Sequence, residues 1–123
     1  MNIGTQLMVI GSGAKTYYTP WFPKGADNAH FTCEIIHQNL GTSGGTVTIT
    51  VYNKNREDAG IESQSPFTFS FSQLGTTGFY EAACANLKQL VRFKITVTPG
   101  TGTSDPQGVC YRFLPPTWYD KAV

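Results

Sequence analysis

Residues 11–16 (GSGAKT) are the part of the sequence that comes nearest to a phosphate-binding loop. Such a loop has the pattern Gly-x-x-x-x-Gly-Lys-Ser/Thr and opens a helix, because consecutive backbone amides must surround the phosphate oxygens. Here Ala14 stands where the second glycine is needed, and no helical pattern follows. The dinucleotide fingerprint fails as well, because Thr16 occupies the position of its third glycine. The sequence therefore predicts no nucleotide site in this segment.

Histidines and acidic residues that could bind a metal or transfer protons are few and scattered. His30 and His37 are an odd number of positions apart, so on one regular strand they would face opposite ways. Glu57 and Asp58 are neighbours in the most charged stretch of the chain. We interpret that stretch as a solvated loop, and calcium binding by it is the alternative. The pattern Gly-x-Ser-x-Gly occurs at residues 41–45 (GTSGG), but a strand pattern and not a helix follows it, so we predict no nucleophile elbow for a serine there. We therefore predict no catalytic residue, no metal and no cofactor.

The three cysteines, Cys33, Cys84 and Cys110, cannot all pair within one chain, and none belongs to a Cys-x-x-Cys motif. We predict buried free thiols that pack as small hydrophobic side chains. A single disulfide with one free thiol is the alternative.

Large aromatic residues beside prolines are the most suggestive feature for function. Trp21 and Phe22 lie between two prolines, and Trp118 and Tyr119 follow a Pro-Pro pair. Tryptophan and tyrosine are enriched at the centres of protein interfaces. Either these residues contact a partner, or their segments fold back and seal the open ends of the domain. Both roles can hold at once.

Basic residues near the end of the chain form a second candidate contact surface. Arg92 and Lys94 are two positions apart, so they share one face of a strand. Lys88 and Arg112 would lie near them if the last two long strands pair. We interpret this group as a solvated outer face, and a docking surface for an acidic partner is the alternative. With a formal net charge of +1, the chain is poorly suited to nucleic acid or an anionic membrane.

The elements that would position these residues are strands. Apolar and polar residues alternate strictly in residues 46–52 (TVTITVY), 67–72 (FTFSFS) and 91–97 (VRFKITV), and alternation is typical of half-buried strands. The predicted strands are 5–10, 15–19, 30–38, 46–52, 67–72, 79–84, 90–98 and 107–114. We also predict a hairpin loop at 39–45 and one helical turn near 85–89. The fold class is all-β: an antiparallel β-sandwich, jelly-roll or Ig-like, of about seven to eight short strands.

Size and composition predict a single domain over residues 1–123, with extended N- and C-terminal segments. Charged residues are 14% of the chain, below the usual ~25%, so the outer faces should carry few charged side chains. No apolar run is long enough for a transmembrane helix, and the first ten residues lack the features of a signal peptide. We therefore expect a chain that is made and folded in a cytoplasm.

Four blocks of the sequence resemble small structural proteins of tailed-phage virions. The blocks are residues 18–23 (YTPWFP), 48–58 (TITVYNKNRED), 90–94 (LVRFK) and 111–118 (YRFLPPTW). The resemblance implies a head decoration (cement) or minor capsid protein without catalysis, located at the capsid surface and made in a bacterial host. Its implied partners are the major capsid protein and copies of itself. The contact candidates are Trp21, Phe22, Arg92, Lys94, Trp118 and Tyr119.

Two other classes of function remain as alternatives. A carbohydrate-binding or host-adhesion module would use Trp21, Trp118 and Tyr119 as sugar platforms, with polar groups from the 53–58 loop. A hydrolase would need a site assembled from distant residues, and two histidines with dispersed acids favour it least.

Overall fold

The computed structural model describes residues 5–10, 13–41, 44–57, 63–72, 78–102 and 106–120, and these residues form an all-β structure. The strands are β1 (Gln6–Ile10), β2 (Lys15–Tyr18), β3 (Phe22–Pro23), β4 (Asn28–Asn39), β5 (Thr46–Lys54), β6 (Ser63–Ser72), β7 (Gly78–Cys84), β8 (Leu90–Thr98), β9 (Gln107–Phe113) and β10 (Thr117–Tyr119). Within the described part of the chain, no helix is long and apolar enough to cross a membrane. Each predicted strand is present, and β3 and β10 are two short additions.

The ten strands of the described residues occupy eight rows in two antiparallel sheets. In the first sheet the order is β1–β9–β4, with β7 on the far side of β4. β10 continues along the side of β4 that β9 occupies. In the second sheet the order is β2–β8–β5–β6, and β3 continues along β8 beyond β2. Each sheet therefore has four rows, and two of the eight rows are split into collinear pieces.

The connectivity is that of a jelly roll. The first row along the chain pairs with the last (β1 with β9), the second with the seventh (β2 with β8), the third with the sixth (β4 with β7), and the fourth with the fifth (β5 with β6). This is the pairing of one long hairpin rolled over two facing sheets. Of the two sandwich types that the sequence predicts, the strand order matches the jelly roll.

The core lies between the sheets and follows the predicted alternation. Val47, Ile49 and Val51 of β5 are fully buried, as are the alternate apolar residues of β8. Phe93 stands at the centre, because its ring stacks on Phe113 from the opposite sheet at a centroid distance of 4.2 Å. The confirmed pattern follows from the two-residue period of a strand, which sends every second side chain inward. The side chains of β6 lie outside the described part, so the inward placement of its phenylalanines stays a prediction.

Two local predictions are wrong. Residues 39–45 do not form a hairpin loop, because β4 and β5 belong to different sheets and the connection crosses between them. Residues 85–89 do not form a helical turn: Asn86 has a left-handed φ of 56°, and the Leu87 amide donates to the carbonyl of Asp27 at 2.8 Å. In this conformation the Leu87 side chain is buried in the core cluster.

Candidate functional site

The outer face of the second sheet carries a cluster of basic and aromatic side chains, which we call the basic–aromatic patch. It consists of Tyr18, Trp21, Lys54, Arg92 and Lys94. The guanidinium carbon of Arg92 lies 4.4 Å from the centroid of the Tyr18 ring and 4.6 Å from that of the Trp21 ring. The ammonium of Lys54 lies 4.9 Å from the Trp21 ring, and that of Lys94 lies 5.9 Å from the Tyr18 ring. Two aromatic rings thus hold three cations together.

Strand pairing places four of these residues side by side. Tyr18 is directly opposite Lys94 across β2 and β8. Arg92 is two residues before Lys94, so the two side chains share a face, as predicted. Lys54, at the end of β5, is opposite Leu90 at the start of β8. Directly opposite residues of neighbouring strands have Cβ atoms about 4.5–5.5 Å apart, so these pairings bring the side chains together.

Trp21 reaches the patch because the edge row of the sheet is interrupted between β2 and β3. Pro20 has no amide hydrogen and cannot contribute a donor to a ladder. The buried Thr19, which is 2% exposed, bridges the gap. Its amide donates to the carbonyl of Phe93 at 3.0 Å, and its hydroxyl accepts the amide hydrogen of Phe93 at 3.0 Å. The chain then resumes pairing at Phe22, and Trp21 is left beside Arg92.

Attraction between cations and ring faces contributes to the order of the patch. Each such contact is worth about 0.5–1 kcal/mol at an exposed site. The described strands of the second sheet contain four basic residues, Lys15, Lys54, Arg92 and Lys94, and no aspartate or glutamate. The strands of the first sheet contain two acidic residues and one arginine. The two sheets therefore differ in charge, although the whole chain has a net charge of only +1.

The other predicted contact residues are placed elsewhere. Phe22 is 8% exposed and packs on Phe93 at a centroid distance of 5.6 Å, so it belongs to the core. Trp118 faces inward, with its ring edge-on to Phe31 at 5.7 Å. It also packs closely against Gly25, where an added Cβ would lie 2.7 Å from its ring. Tyr119 is half-buried on β10, opposite Asn28 in the first sheet.

The sequence grouped Arg112 with Arg92 and Lys94 on the condition that the last two long strands pair, and this condition is not met. β8 and β9 lie in opposite sheets and do not pair. Arg112 donates instead to the carboxylate of Glu34 at 2.5 Å on the outer face of the first sheet. The sugar platform considered above is not assembled either, because Trp21, Trp118 and Tyr119 occupy three separate environments.

A β-bulge at Ile36 overturns the predicted orientation of the histidines. The pairing of β4 with β9 shifts between Ile35 and His37, so both His30 and His37 lie on the outer face. They are still about 20 Å apart along the strand, at ~3.3 Å for each residue. His30 contacts the carboxylate of Glu81 at 3.2 Å. Among the described residues, no three His, Cys, Asp or Glu side chains converge on a possible metal position. Asp58, one of the acids considered for calcium, lies outside those residues.

The cysteines are free thiols, as predicted. Cys33 and Cys84 are buried, and Cys110 is half-buried. Burial raises the pKa of the Cys33 thiol to about 12, and the nearby charge of Glu34 adds to the shift. A thiol with such a pKa stays protonated and unreactive at neutral pH.

Two members of the patch, Tyr18 and Lys54, were not among the candidates from the sequence. Lys54 could have been found, because it continues the outward-facing series of Thr46, Thr48, Thr50 and Tyr52 in β5. Tyr18 carried no comparable signal, since Tyr17 is equally aromatic and only the pairing with β8 decides which of the two faces outward.

The chain matches no protein-family profile. No curated protein and no solved structure matches it either. The jelly-roll assignment therefore rests on the strand pairing, and any function must be argued from the residues of this chain.

Proposed function

We propose that this protein is a non-enzymatic structural protein of a virion, a capsid decoration (cement) or minor capsid protein that binds and stabilises the shell of the major capsid protein. The observation that carries the proposal is the basic–aromatic patch on a sheet whose described strands contain no acidic residue. The jelly roll supports it by analogy, because this architecture is common among viral capsid domains, although it also occurs in lectins.

The composition of the patch favours a protein partner. Arginine, tryptophan and tyrosine are the residues that most often dominate the energy of protein interfaces. Here one residue of each type meets within contact distance, at the side chains of Arg92, Trp21 and Tyr18. The proposed partner surface is acidic, because Lys54, Arg92 and Lys94 supply three positive charges in one small area.

A shell would amplify a modest single contact. Each capsid lattice repeats the same acidic surface many times, and linked or neighbouring copies bind with an avidity that exceeds the affinity of one site. Many weak contacts made by copies that also contact one another can therefore stabilise a large assembly. In this proposal the protein is located on the capsid surface after synthesis in the bacterial host, and the major capsid protein is its principal partner.

The test is binding to shells assembled from the major capsid protein of the same genome, prepared without this chain. We expect saturable binding at a copy number set by the lattice symmetry. Arg92→Ala should weaken binding by about tenfold or more, the loss typical of an interface hot spot. Arg112→Ala is the matched control, since it removes the same charge from the opposite sheet.

Ionic strength provides a second readout. Raising the salt concentration should weaken binding of the wild type more than that of Arg92→Ala, because charge attraction is screened. An absence of saturable binding would exclude the proposed function. Binding of a glycan array without binding of shells would instead favour the carbohydrate-binding class.

A further inference from the structure

β1 forms an edge of the first sheet and carries exposed apolar side chains. Leu7 is 68% exposed and Val9 is 53% exposed, and both lie on the outer face of the sheet. Within the described part of the chain, β1 pairs with β9 on one side only. The sequence of β1, QLMVI, contains no charge and no proline.

Other edges of the sandwich carry the usual protection against strand pairing. Natural proteins interrupt an edge with proline, or place a charged side chain on it. The β2–β3 edge contains Lys15, Pro20 and Pro23, and the β7 edge contains Glu81. β1 therefore differs from these two edges in a way that favours addition of another strand.

The contact of Lys15 shows which backbone groups of β1 face outward. Its ammonium donates to the carbonyl oxygen of Val9 at 3.3 Å, so this carbonyl points away from β9. Backbone groups alternate in direction along a strand, and Leu7 therefore presents its amide and carbonyl to the same side. The Lys15 side chain is exposed and its hydrogen bond is long, so an incoming strand can displace it.

We propose that β1 pairs antiparallel with β1 of a second copy of this chain, about a twofold axis at Met8. In that register Leu7 of each copy is opposite Val9 of the other, and all five residues of the strand are paired. The outward backbone groups of Leu7 and Val9 form four hydrogen bonds, two for each such pair. The two exposed apolar side chains of each copy cover those of the other. The four-row sheets join into one continuous sheet across an isologous interface.

The strand is self-complementary, and this argues for a second copy rather than a different protein. An antiparallel pair of identical β1 strands places no charge opposite another charge and no apolar side chain opposite a polar one at Leu7 and Val9. The inference does not depend on the proposed capsid function. Two five-residue strands bury less than the roughly 1,200 Å² of a stable interface, so the dimer forms in a concentration-dependent equilibrium.

Sedimentation equilibrium of the purified wild type tests the pairing. The weight-average mass should rise with concentration from the 13.4 kDa of the monomer towards twice that value. Leu7→Lys together with Val9→Lys should keep the protein monomeric, because charged side chains block an edge. Phe79→Lys is the matched control: Phe79 is 60% exposed but lies on the opposite edge, in β7, so this variant should behave as the wild type.

Cysteine cross-linking tests the register. Leu7 pairs with Cys110 of its own chain, so the experiment uses a Cys110→Ser background. A mixture of the Leu7→Cys and Val9→Cys variants should form disulfide-linked dimers faster than either variant alone. A mass that stays at that of the monomer up to about 1 mM, a mass that passes twice the monomer, or equal cross-linking in all three samples would overturn the proposal.

Discussion

Replacing Thr19 by valine tests the local structure that brings Trp21 to the basic–aromatic patch. Valine has nearly the same shape as threonine but cannot accept a hydrogen bond. The amide of Phe93 donates to the Thr19 hydroxyl at 3.0 Å, and Thr19 is 2% exposed. In Thr19→Val this amide is buried without an acceptor, because water cannot reach it.

The expected loss follows from the cost of burying an unsatisfied amide, which is about 1–3 kcal/mol. The entropy of unfolding is about 2.1 cal/mol/K for each residue, or roughly 0.26 kcal/mol/K for a domain of this size. The melting temperature of Thr19→Val should therefore fall by about 4–12 °C.

Thr19→Ser provides the control, because serine keeps the hydroxyl and loses one methyl group. That loss is worth about 0.8 kcal/mol, or roughly 3 °C in the melting temperature. Calorimetry gives the melting temperatures. Amide hydrogen exchange then reports on Phe93 itself, whose protection should fall sharply in the valine variant and stay near the wild-type value in the serine variant.

The outcome that would refute this reasoning is a valine variant at least as stable as the serine variant. Unchanged protection of the Phe93 amide in Thr19→Val would refute it equally, because the hydroxyl would then not be the acceptor that matters.

Two further changes address the contact between Gly25 and Trp118 and the buried thiol. Gly25→Ala should lower the free energy of unfolding by about 1–3 kcal/mol, because the new Cβ would lie 2.7 Å from the Trp118 ring. Gly13→Ala, which meets no atom within 4 Å, is its control in urea unfolding, and equal midpoints would contradict the contact. Burial raises the pKa of Cys33 from about 9 to about 12, so between these pH values the thiol loses its proton in the unfolded chain but keeps it in the folded one. The free energy of unfolding should therefore be unaffected by this thiol below pH 9. It should fall from there towards pH 12 by at most about 1.4 kcal/mol for each pH unit. Cys33→Ala should reduce this fall in the free energy of unfolding, which urea titrations at several pH values measure. An unchanged dependence on pH would rule out the thiol as its source. Burial raises the pKa of Tyr111 as well, so part of the pH dependence should remain in the variant.

Much of the fold could be predicted from the sequence because alternation is a local property. The inward series of β5 and the shared face of Arg92 and Lys94 follow directly from a two-residue period. The partner of each strand could not be derived in this way. Pairing is decided by contacts between residues far apart in the chain, as between Gln6 and Tyr111. For this reason the 39–45 connection was predicted as a hairpin although it crosses between the sheets.

Irregularities in the strands account for the remaining errors. The bulge at Ile36 adds one residue to β4 and reverses the expected face of His37. At residues 85–89, the amide of Lys88 is bound by the side chain of Asn53 at 3.1 Å, a long-range hydrogen bond that no helical spacing reveals. The candidate site also combines local and long-range features. The two-residue spacing of Arg92 and Lys94 predicted that they share a face, but only the interruption of the edge row at Pro20 explains why Trp21 lies beside them.

The clamping of Arg92 between two rings has a consequence for any encounter with a partner. A long side chain that becomes fixed at an interface loses rotamer entropy worth about 0.5–1.5 kcal/mol. The rings of Tyr18 and Trp21, at 4.4 and 4.6 Å, already restrict the guanidinium, so much of this loss occurs during folding. An acidic surface would therefore meet a rigid donor whose direction is set in advance.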